Sequence, residues 1–424
     1  MMWKTIRIAD FGTVITGKTP SSKKPNHFGD DYPFITPTDM STGRIVHTDR
    51  GISEEGYLKF RRQVLPRWSV CFVCIGATIG KICLTTEESL TNQQINSVVV
   101  DTIRHDPFFV YYLLSTHAEA VKGIAGGAAT PIVNKTSFEN IEIVVPPLHT
   151  QRKISAVLSA YDDLIENNLR RIKILEDMAQ NLYREWFVKF RFPGHQNARF
   201  TDSPLGKIPE GWEVSALKEH LIALESGKRP KGGVKDSEFG VPSVGAENIK
   251  GIGRHNFRSE KYVPRTFFEQ MRKGVVKDGD IALYKDGAYI GRSACFRDGF
   301  PHTRFCVNEH VFLLRTDRER LTQNVLYLWL QEPDTVSGIR ATNANAAQPG
   351  LNQAGVGSLL LILPPLDIAR QLDHLVEPIL ALIVSLAKRN EALRRTRDLL
   401  LPRLISGELD VSKLNIAVPE EMQV

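Results

Sequence analysis

Two stretches of the chain carry apolar residues at heptad spacing, and each begins directly after a Pro-Pro dipeptide. In the first, the two heptad positions hold Leu158, Ile165, Ile172, Ala179 and Trp186, and Ile154, Tyr161, Asn168, Leu175 and Leu182. In the second, they hold Val376, Ile383, Asn390, Arg397 and Leu404, and Leu372, Ile379, Leu386, Leu393 and Leu400. These stripes predict two helices of roughly 40 residues, each about 60 Å long, that pack on one another as a coiled coil.

Three polar residues interrupt the two stripes. Asn168 and Asn390 fall near the middle of their helices. Two interpretations stay open: the pair is buried and determines the register, or the seam is locally solvated. We predict an antiparallel orientation, which places the two asparagines near an approximate two-fold axis. Arg397 stands where the heptad expects an apolar residue, which questions the continuity of the seam there.

Outside the two stripes, short runs of β-branched and aromatic residues alternate with Gly, Pro and Asn. Runs such as SVCFVCI and EHVFLLR predict strands, and PFFVYYLLSTHAEAV and NVLYLWLQEP predict helices. The fold class that follows is α+β, with strand-rich globular units and two long helices.

The chain contains an ordered internal repeat. The matched segments are TGKTP at 16–20 with SGKRP at 226–230, GATIGK at 76–81 with GAYIGR at 287–292, and VVPPLHTQRKI at 144–154 with ILPPLDIARQL at 362–372. The offset drifts only from about 209 to about 218 residues, which indicates a tandem duplication with small loop insertions. Each half therefore holds one globular unit followed by one helix.

Composition limits the class of protein. With 424 residues and 42% hydrophobic residues, the chain exceeds what one core usually serves. No apolar run is long enough to span a membrane and no signal peptide is visible, so we expect a cytoplasmic protein. The net charge of +6 permits an acidic partner. Five cysteines form an odd, sparse set, and the CxxC of Cys71 and Cys74 has no second ligand pair, so no metal site is expected.

One motif suggests nucleotide binding. The segment GTVITGKT at 12–19 satisfies the phosphate-binding pattern G-x4-G-K-[ST]. That pattern needs a helix immediately after it, whereas Pro20 follows and the next residues have no helical period. The second copy of the motif is incomplete. Two hypotheses stay open at this point: a P-loop nucleotide hydrolase with a coiled-coil stalk, and a coiled-coil adaptor that does not bind DNA.

The order of these motifs, which occur twice, resembles the specificity subunits of type I restriction-modification enzymes. The features that carry the resemblance are PLGKIPEGWEV before the second unit, the TGKTP and SGKRP loops, the GAxIG[KR] turns, the PPLxxQRKI helix start and LLLPRLISGELDV near the end. The resemblance implies two target-recognition domains that each read one half of a split DNA sequence. It also implies helices that dock the methyltransferase subunits.

The resemblance divides the chain into five parts. Residues 1–146 and 191–363 are the expected target-recognition domains, the second with a connecting segment at 191–208; residues 147–190 and 364–409 are the spacer helices, and 410–424 form a tail. The expected partners are double-stranded DNA, modification subunits that number two, and an ATP-dependent restriction subunit. The chain itself is expected to be non-catalytic and without a cofactor, and S-adenosylmethionine and ATP are expected on the partners.

Basic and amide residues in the matched loops are the candidates for DNA contact. Cations on Gly- and Pro-shaped loops attract phosphates, and amides or histidine read base edges. The candidates are Lys18, Thr19, Lys23, Lys24, Lys81, Gln93 and Gln94 in the first unit, and Lys228, Arg229, Lys231, Lys235, Arg292, Asn308 and His310 in the second. Ordinary solvated loops, and turns that the amides cap, are the alternative interpretation.

A further group of apolar residues lies off the helix seam. A two-helix pair leaves its outward faces uncovered, so these residues are candidates for contact with partner subunits. They are Val157, Leu164, Leu169 and Phe187.

Overall fold

The computed structural model describes residues 3–40, 43–44, 48–125, 131–234, 240–343 and 350–419. The chain divides into two compact units. Unit 1 comprises Met1–Ile165 with Leu393–Val424, and unit 2 comprises Glu166–Ala392. Both units contain helices and strands, so the fold belongs to the mixed α and β class.

The helices include two that are much longer than the others. The α-helices are α1 (Glu54–Lys59), α2 (Pro107–Thr116), α3 (Ala118–Ile124), α4 (Lys135–Glu139), α5 (Leu148–Tyr183), α6 (Arg265–Glu269), α7 (Gln323–Trp329), α8 (Pro333–Ala341), α9 (Gln353–Gly357) and α10 (Leu366–Ile405). A π-helical turn, Arg184–Val188, continues α5. Short 3-10 turns occupy Ile8–Phe11, Pro25–His27, Arg61–Gln63, His195–Asn197, Leu217–His220, Ala246–Asn248 and Phe257–Ser259. None of the described helices contains an apolar stretch that could span a lipid bilayer.

The strands of unit 1 form small sheets. They are β1 (Lys4–Arg7), β2 (Gly12–Thr16), β3 (Phe28–Ile35), β4 (Gly43–Arg44), β5 (Gly51–Ile52), β6 (Val70–Val73), β7 (Ile82–Leu84), β8 (Leu90–Thr91), β9 (Ile95–Val100) and β10 (Glu142–Val145). The strand orders are β2-β9-β6-β7-β4, β5-β3-β8 and β1-β10.

The strands of unit 2 are arranged in a similar way. They are β11 (Phe200–Ser203), β12 (Gly206–Pro209), β13 (Glu213–Ala216), β14 (Leu221–Ser226), β15 (Val241–Val244), β16 (Lys261–Val263), β17 (Asp280–Tyr284), β18 (Ser293–Phe296), β19 (Cys306–Val307), β20 (Val311–Thr316) and β21 (Leu360–Leu363). The strand orders are β14-β20-β17-β18, β16-β15-β19 and β13-β21, with β11 and β12 as a hairpin.

The strand pairings of unit 1 recur in unit 2. The last strand of each unit pairs antiparallel with a strand near the start of that unit, β10 with β1 and β21 with β13, which follows the β11–β12 hairpin. A parallel pair, β3 with β8, has its counterpart in β15 with β19. The central strand β9 lies between β2 and β6, as β20 lies between β14 and β17. The two units therefore repeat one topology.

Helix α5 is uninterrupted by Gly or Pro, and its apolar stripe is buried along its length. Leu158 packs in the core of unit 1 with Phe109 and Leu404, and Ile172 packs in the core of unit 2 with Ile383. Burial of this stripe, at roughly 1.5–3 kcal/mol for each large side chain, stabilises the helix more than its intrinsic propensity does.

Helix α10 contains two prolines, Pro378 and Pro402, both on its exposed face. A proline in a helix removes one backbone hydrogen bond, and on the solvent side water can satisfy the freed carbonyl. The helix ends before Gly407, whose φ of +77° is the left-handed conformation typical of a helix C-terminus. A Cβ at Gly407 would lie 2.8 Å from the ring of Trp3, so packing also requires glycine there.

Polar residues within the stripes find partners inside their own unit. In unit 2, the amide of Asn168 donates to Oδ1 of Asn390 (2.8 Å), and Asn390 is buried. In unit 1, the guanidinium of Arg397 forms an ion pair with Asp162, whose second oxygen accepts from the hydroxyl of Tyr112 (2.6 Å). The polar residue at position 397 is thus compensated by an opposite charge.

Candidate nucleic-acid interface

Three loops of unit 1 meet at one place, which we call site 1: residues 17–24, 75–81 and 92–94. The first loop follows β2, and the backbone N–H of Lys18 donates to the carbonyl of Thr91 (2.9 Å). The Thr19 hydroxyl donates to the side-chain oxygen of Gln93. A Cβ at Gly17 would lie 2.2 Å from the carbonyl oxygen of Asn92, so only glycine permits this approach.

The glycine turn between β6 and β7 lies against the third loop of site 1. The N–H of Cys74 donates to the carbonyl of Gln94 (2.8 Å), and the N–H of Gly80 donates back to Val73 across the turn. The side-chain amide of Gln94 donates to the carbonyl of Ile75 (3.4 Å). Backbone hydrogen bonds therefore hold the three loops of site 1 together.

Unit 2 assembles the equivalent loops into site 2: residues 227–231, 286–292 and 308–310. A Cβ at Gly227 would lie 1.6 Å from the carbonyl oxygen of Val307, so the first loop docks on the third as in site 1. The N–H of Lys285 donates to the carbonyl of His310 (3.1 Å), as Cys74 does to Gln94.

Side-chain contacts with carboxylates connect the loops of site 2. Arg229 Nε lies 3.0 Å from a carboxylate oxygen of Glu309. His310 Nδ1 lies 3.1 Å from Asp286 Oδ2 and its Nε2 lies 3.4 Å from Glu309. Site 2 therefore contains carboxylates close to its cations, whereas the described loop residues of site 1 contain none.

Two buried asparagines build the third loop of each site. Oδ1 of Asn92 accepts from the N–H of Gln94 (3.1 Å), and Oδ1 of Asn308 accepts from the N–H of His310 (3.0 Å). Asn308 is only 6% exposed. The sequence-based expectation that Asn308 contacts DNA is corrected, because its side chain is used to form the turn.

Most of the other candidate residues present their side chains at the surface. The exposed ones are Lys18, Thr19, Lys23, Lys24 and Gln93 in unit 1, and Lys228, Arg229, Lys231 and Arg292 in unit 2, while Gln94 and His310 are half-buried. Lys81 is also half-buried, and its ammonium donates to the carbonyl of Pro37 (2.7 Å). This hydrogen bond stabilises the glycine turn between β6 and β7. Lys235 lies outside the described residues.

Sequence reasoning missed Tyr289, at the tip of the glycine turn of site 2. Tyr289 is 51% exposed, and the guanidinium carbon of Arg292 lies 3.8 Å from the centroid of its ring. The equivalent residue of the first unit is Thr78, so the aromatic distinguishes the two copies. The signal was present in GAYIGR, because an exposed aromatic beside an arginine is typical of surfaces that stack on bases.

The phosphate-binding interpretation of residues 12–19 has no support in the local structure. Gly12–Thr16 is strand β2, and residues 17–24 form a loop before the 3-10 turn Pro25–His27. A helix N-terminus that cradles phosphate therefore does not follow the motif in this described segment. Thr19, which would bind a metal-nucleotide in a P-loop, is engaged with Gln93.

The five cysteines are buried free thiols. Burial raises the pKa of Cys74 to about 11 and that of Cys295 to about 12. A thiol must ionise before it attacks an electrophile, so these residues are not nucleophiles at neutral pH. Cys71 and Cys83 face each other in the pairing of β6 with β7 and stay free thiols.

The proposed partner-binding residues on α5 have different exposures. Leu164 is 53% exposed and Leu169 is 46% exposed, while Val157 is half-buried. Phe187 is buried against Trp212, with ring centroids 5.5 Å apart, which corrects the expectation for it. The reason is the π-helical turn, which changes the helical phase. Further exposed apolar residues that the heptad frame did not select are Ile174, Met178, Leu375, Leu382 and Leu399.

The chain is similar in sequence to known proteins. Residues 2–176 match the family described as type I restriction modification DNA specificity domain. The chain is 26% identical over 418 residues to the MjaIX specificity subunit of Methanocaldococcus jannaschii, covering 97% of this chain and 94% of the relative. It is 33% identical over 181 residues to the HindI specificity subunit of Haemophilus influenzae, covering 41% of this chain and 39% of the relative.

A solved structure shares the fold. The type I restriction-modification S subunit from M. genitalium has a TM-score of 0.57 and 14% identity, covering 95% of this chain and 96% of that one. At this sequence identity the likeness is one of fold. Over nearly its whole length the chain is similar to type I restriction-modification specificity subunits.

Proposed function

We propose that unit 1 and unit 2 each read one half of a bipartite DNA sequence, through site 1 and site 2 respectively. The observation that carries the proposal is the repeated assembly of three loops in each unit by equivalent backbone hydrogen bonds. Each site presents exposed cations on rigid, glycine-shaped loops, which is the requirement for a surface that follows phosphates. Because the loops differ in side chains, the two half-sites differ.

The two sites have different candidates for base contact. In site 1, the exposed amide of Gln93 has the donor and acceptor that adenine requires in the major groove. In site 2, Arg292 and His310 are suited to guanine, and Tyr289 offers a ring for stacking. Lys18, Lys23 and Lys228 contact phosphates, which positions the loops without reading sequence.

The two long helices act as an antiparallel coiled-coil spacer in this proposal. Asp162 of α5 meets Arg397 of α10 within unit 1, and Asn168 meets Asn390 within unit 2. The residue number increases along one helix as it decreases along the other, which supports the antiparallel orientation. Such a spacer relates the gap between half-sites to helix length.

The chain's proposed partners are double-stranded DNA, two modification subunits that carry S-adenosylmethionine, and a restriction subunit that uses ATP. Exposed leucines on α5, Leu164 and Leu169, support a docking role for the helices, since apolar side chains that the chain itself leaves uncovered are available to a partner. Methylation and cleavage are activities of these partners.

Salt dependence of DNA binding tests the proposal. We expect affinity of the assembled complex for its target DNA to decrease steeply as salt increases, because each phosphate contact releases counterions. Lys228→Ala should reduce the slope of log affinity against log salt by about 0.9, the value of one phosphate contact. Lys173→Ala, an exposed lysine on α5, is the matched control and should leave the slope unchanged. A salt-independent affinity would favour the adaptor hypothesis.

A second experiment separates the proposal from a nucleotide hydrolase. The purified chain alone should neither methylate nor cut DNA, nor bind ATP in a calorimetric titration. Methylation of a bipartite sequence should begin when the modification subunit and S-adenosylmethionine are added. ATP hydrolysis by the chain alone that Lys18→Ala abolishes would contradict the proposal.

A further inference from the structure

Two histidines and one glutamate of unit 2 that are not part of the site 2 loops converge. Nε2 of His255 lies 2.5 Å from Oε1 of Glu260, and Nε2 of His302 contacts the same oxygen. The facing ligand atoms of all three residues lie within 4.8 Å of one another. The side chains of His255 and Glu260 are 1% and 6% exposed, and that of His302 is 25% exposed.

The surroundings of this cluster favour a single arrangement of its side chains. The hydroxyl of Tyr262 donates to the other carboxylate oxygen of Glu260 (2.7 Å), which orients the carboxylate. Phe257 packs against both histidine rings, with centroids 4.6 Å from His255 and 5.7 Å from His302. The site is therefore apolar on one side and open to solvent only at His302.

We propose that His255, Glu260 and His302 bind one divalent transition-metal ion of the zinc type. Two imidazole nitrogens and one carboxylate oxygen are a donor set that zinc uses with a fourth position left for water. The bond from Tyr262 to Glu260 is the outer hydrogen bond that ligating carboxylates usually make. The partial exposure of His302 gives the ion a route to the site.

The ion has a structural role in this proposal, because the segment around His255 packs on the helices of unit 2. The N–H of Ile252 donates to the hydroxyl of Tyr327 (3.1 Å). A Cβ on Gly253 would lie 3.0 Å from Ala387 of α10. Arg254 forms an ion pair with Glu176 of α5 (2.5 Å). A metal bound to His302 would join a second loop to this segment and so hold the globular part of unit 2 on its helices.

The competing account is a cluster held by hydrogen bonds alone. Both histidines would then donate to Glu260, and no ion would be needed. Metal binding instead requires deprotonated nitrogens and moves the three donor atoms apart, since ligands at about 2.0–2.2 Å from zinc in a tetrahedral site are further apart than hydrogen-bonded atoms. The two accounts therefore predict opposite results when zinc or cobalt is added.

The test is metal binding by the untagged full chain after chelator treatment and dialysis. Calorimetric titration with Zn²⁺ should give one ion per chain, and Co²⁺ should give the strong visible absorption of a four-coordinate site. Addition of Zn²⁺ should raise the thermal transition of the metal-free chain. His302→Gln, at the most exposed position, should weaken binding by more than about 100-fold, and Tyr262→Phe by about 10- to 100-fold.

Two controls keep the result specific. His374→Gln removes an exposed histidine of the same unit and should leave metal affinity unchanged. Circular dichroism of each variant checks that it is folded, and the cobalt spectrum of the unmodified chain requires no variant. Failure of the unmodified chain to bind zinc or cobalt would overturn the proposal, as would equal affinities for the His302→Gln variant and the unmodified chain. Neither result bears on DNA reading by site 1 and site 2.

Discussion

The ion pair between Asp162 and Arg397 stands at a seam position where the heptad expects an apolar side chain, and its removal has a predictable cost. Each side chain is 20% exposed, so the pair is mostly desolvated. Removing one partner of a buried pair costs about 3–5 kcal/mol, and removing one of an exposed pair costs about 0–1 kcal/mol. Because the pair is partly exposed, we expect Arg397→Leu to lower the free energy of unfolding by about 2 kcal/mol.

Replacing the other partner, Asp162, should lower the free energy of unfolding by more. Asp162→Leu removes the partner of Arg397 and also the acceptor of the Tyr112 hydroxyl, a hydrogen bond of 2.6 Å. We expect about 3 kcal/mol, because a bond to a charged group contributes about 1.5–3 kcal/mol. The double variant Asp162→Leu with Arg397→Leu removes both charges but still lacks the acceptor of the Tyr112 hydroxyl. It should therefore be less stable than the unmodified chain by at most about 3 kcal/mol, which is less than the sum of about 5 kcal/mol for the two single variants.

The assay is urea unfolding of the full chain at neutral pH, followed by tryptophan fluorescence and by hydrogen exchange of peptides from unit 1. Peptide resolution is needed because two units need not unfold in one step. Lys173→Ala is the matched control, since Lys173 and Asp177 form an exposed pair on α5. It should cost less than about 0.5 kcal/mol. A double variant as unstable as the sum of the two single variants would refute the reasoning.

Three further predictions concern other parts of the chain. Burial raises the pKa of Asp373 to about 6, so the stability of the folded chain should fall as the pH rises from about 4 to 6. Asp373→Asn should therefore increase the free energy of unfolding, measured by urea unfolding, by about 2 kcal/mol at pH 8 and by little at pH 4. Gly227→Ala places a Cβ against the backbone of Val307 and should therefore destabilise unit 2 by about 2 kcal/mol or more. The same variant should bind DNA more weakly in gel-shift assays. Leu164→Ser with Leu169→Ser should weaken assembly with the modification subunit in analytical ultracentrifugation while sparing the fold.

Each of these three predictions has a control variant or a result that would contradict it. The sign for Asp373 follows because its carboxyl binds a proton more tightly when folded, so stability is lost as that proton leaves. An Asp373→Asn variant with an unchanged pH profile would contradict it. Gly338→Ala, in helix α8 with its nearest neighbour 3.8 Å away, should be neutral or stabilising. Undiminished assembly of the double serine variant would argue against helix docking.

The sequence predicted the parts of the structure that depend on periodic burial. The heptad stripe of α5 is buried at Leu158 and Ile172, because helical period and burial are linked directly. The mixed helix and strand content is confirmed, and the relatives are those that the repeated motifs indicated. The matched loops do meet in each unit, since Gly17 and Gly227 allow a backbone approach that other residues would block.

Other features depend on contacts that spacing does not encode. Phe187 is turned inward by a π-helical turn, which a regular heptad frame excludes. Asn308 was a candidate reader because an amide can bond bases or its own turn, and only the fold shows which. His255 and His302 are far apart in sequence and match no ligand spacing, so only their common contact with Glu260 brings them to notice.

The most direct test of two separate reading units is to map the methylated positions in DNA from cells that express this chain with its partner subunits. We predict two short, different sequences separated by a constant number of base pairs. Replacing residues 1–146 with the equivalent segment of a relative should change one of these sequences and leave the other intact. A single continuous target, or a replacement that changes both sequences, would contradict the account.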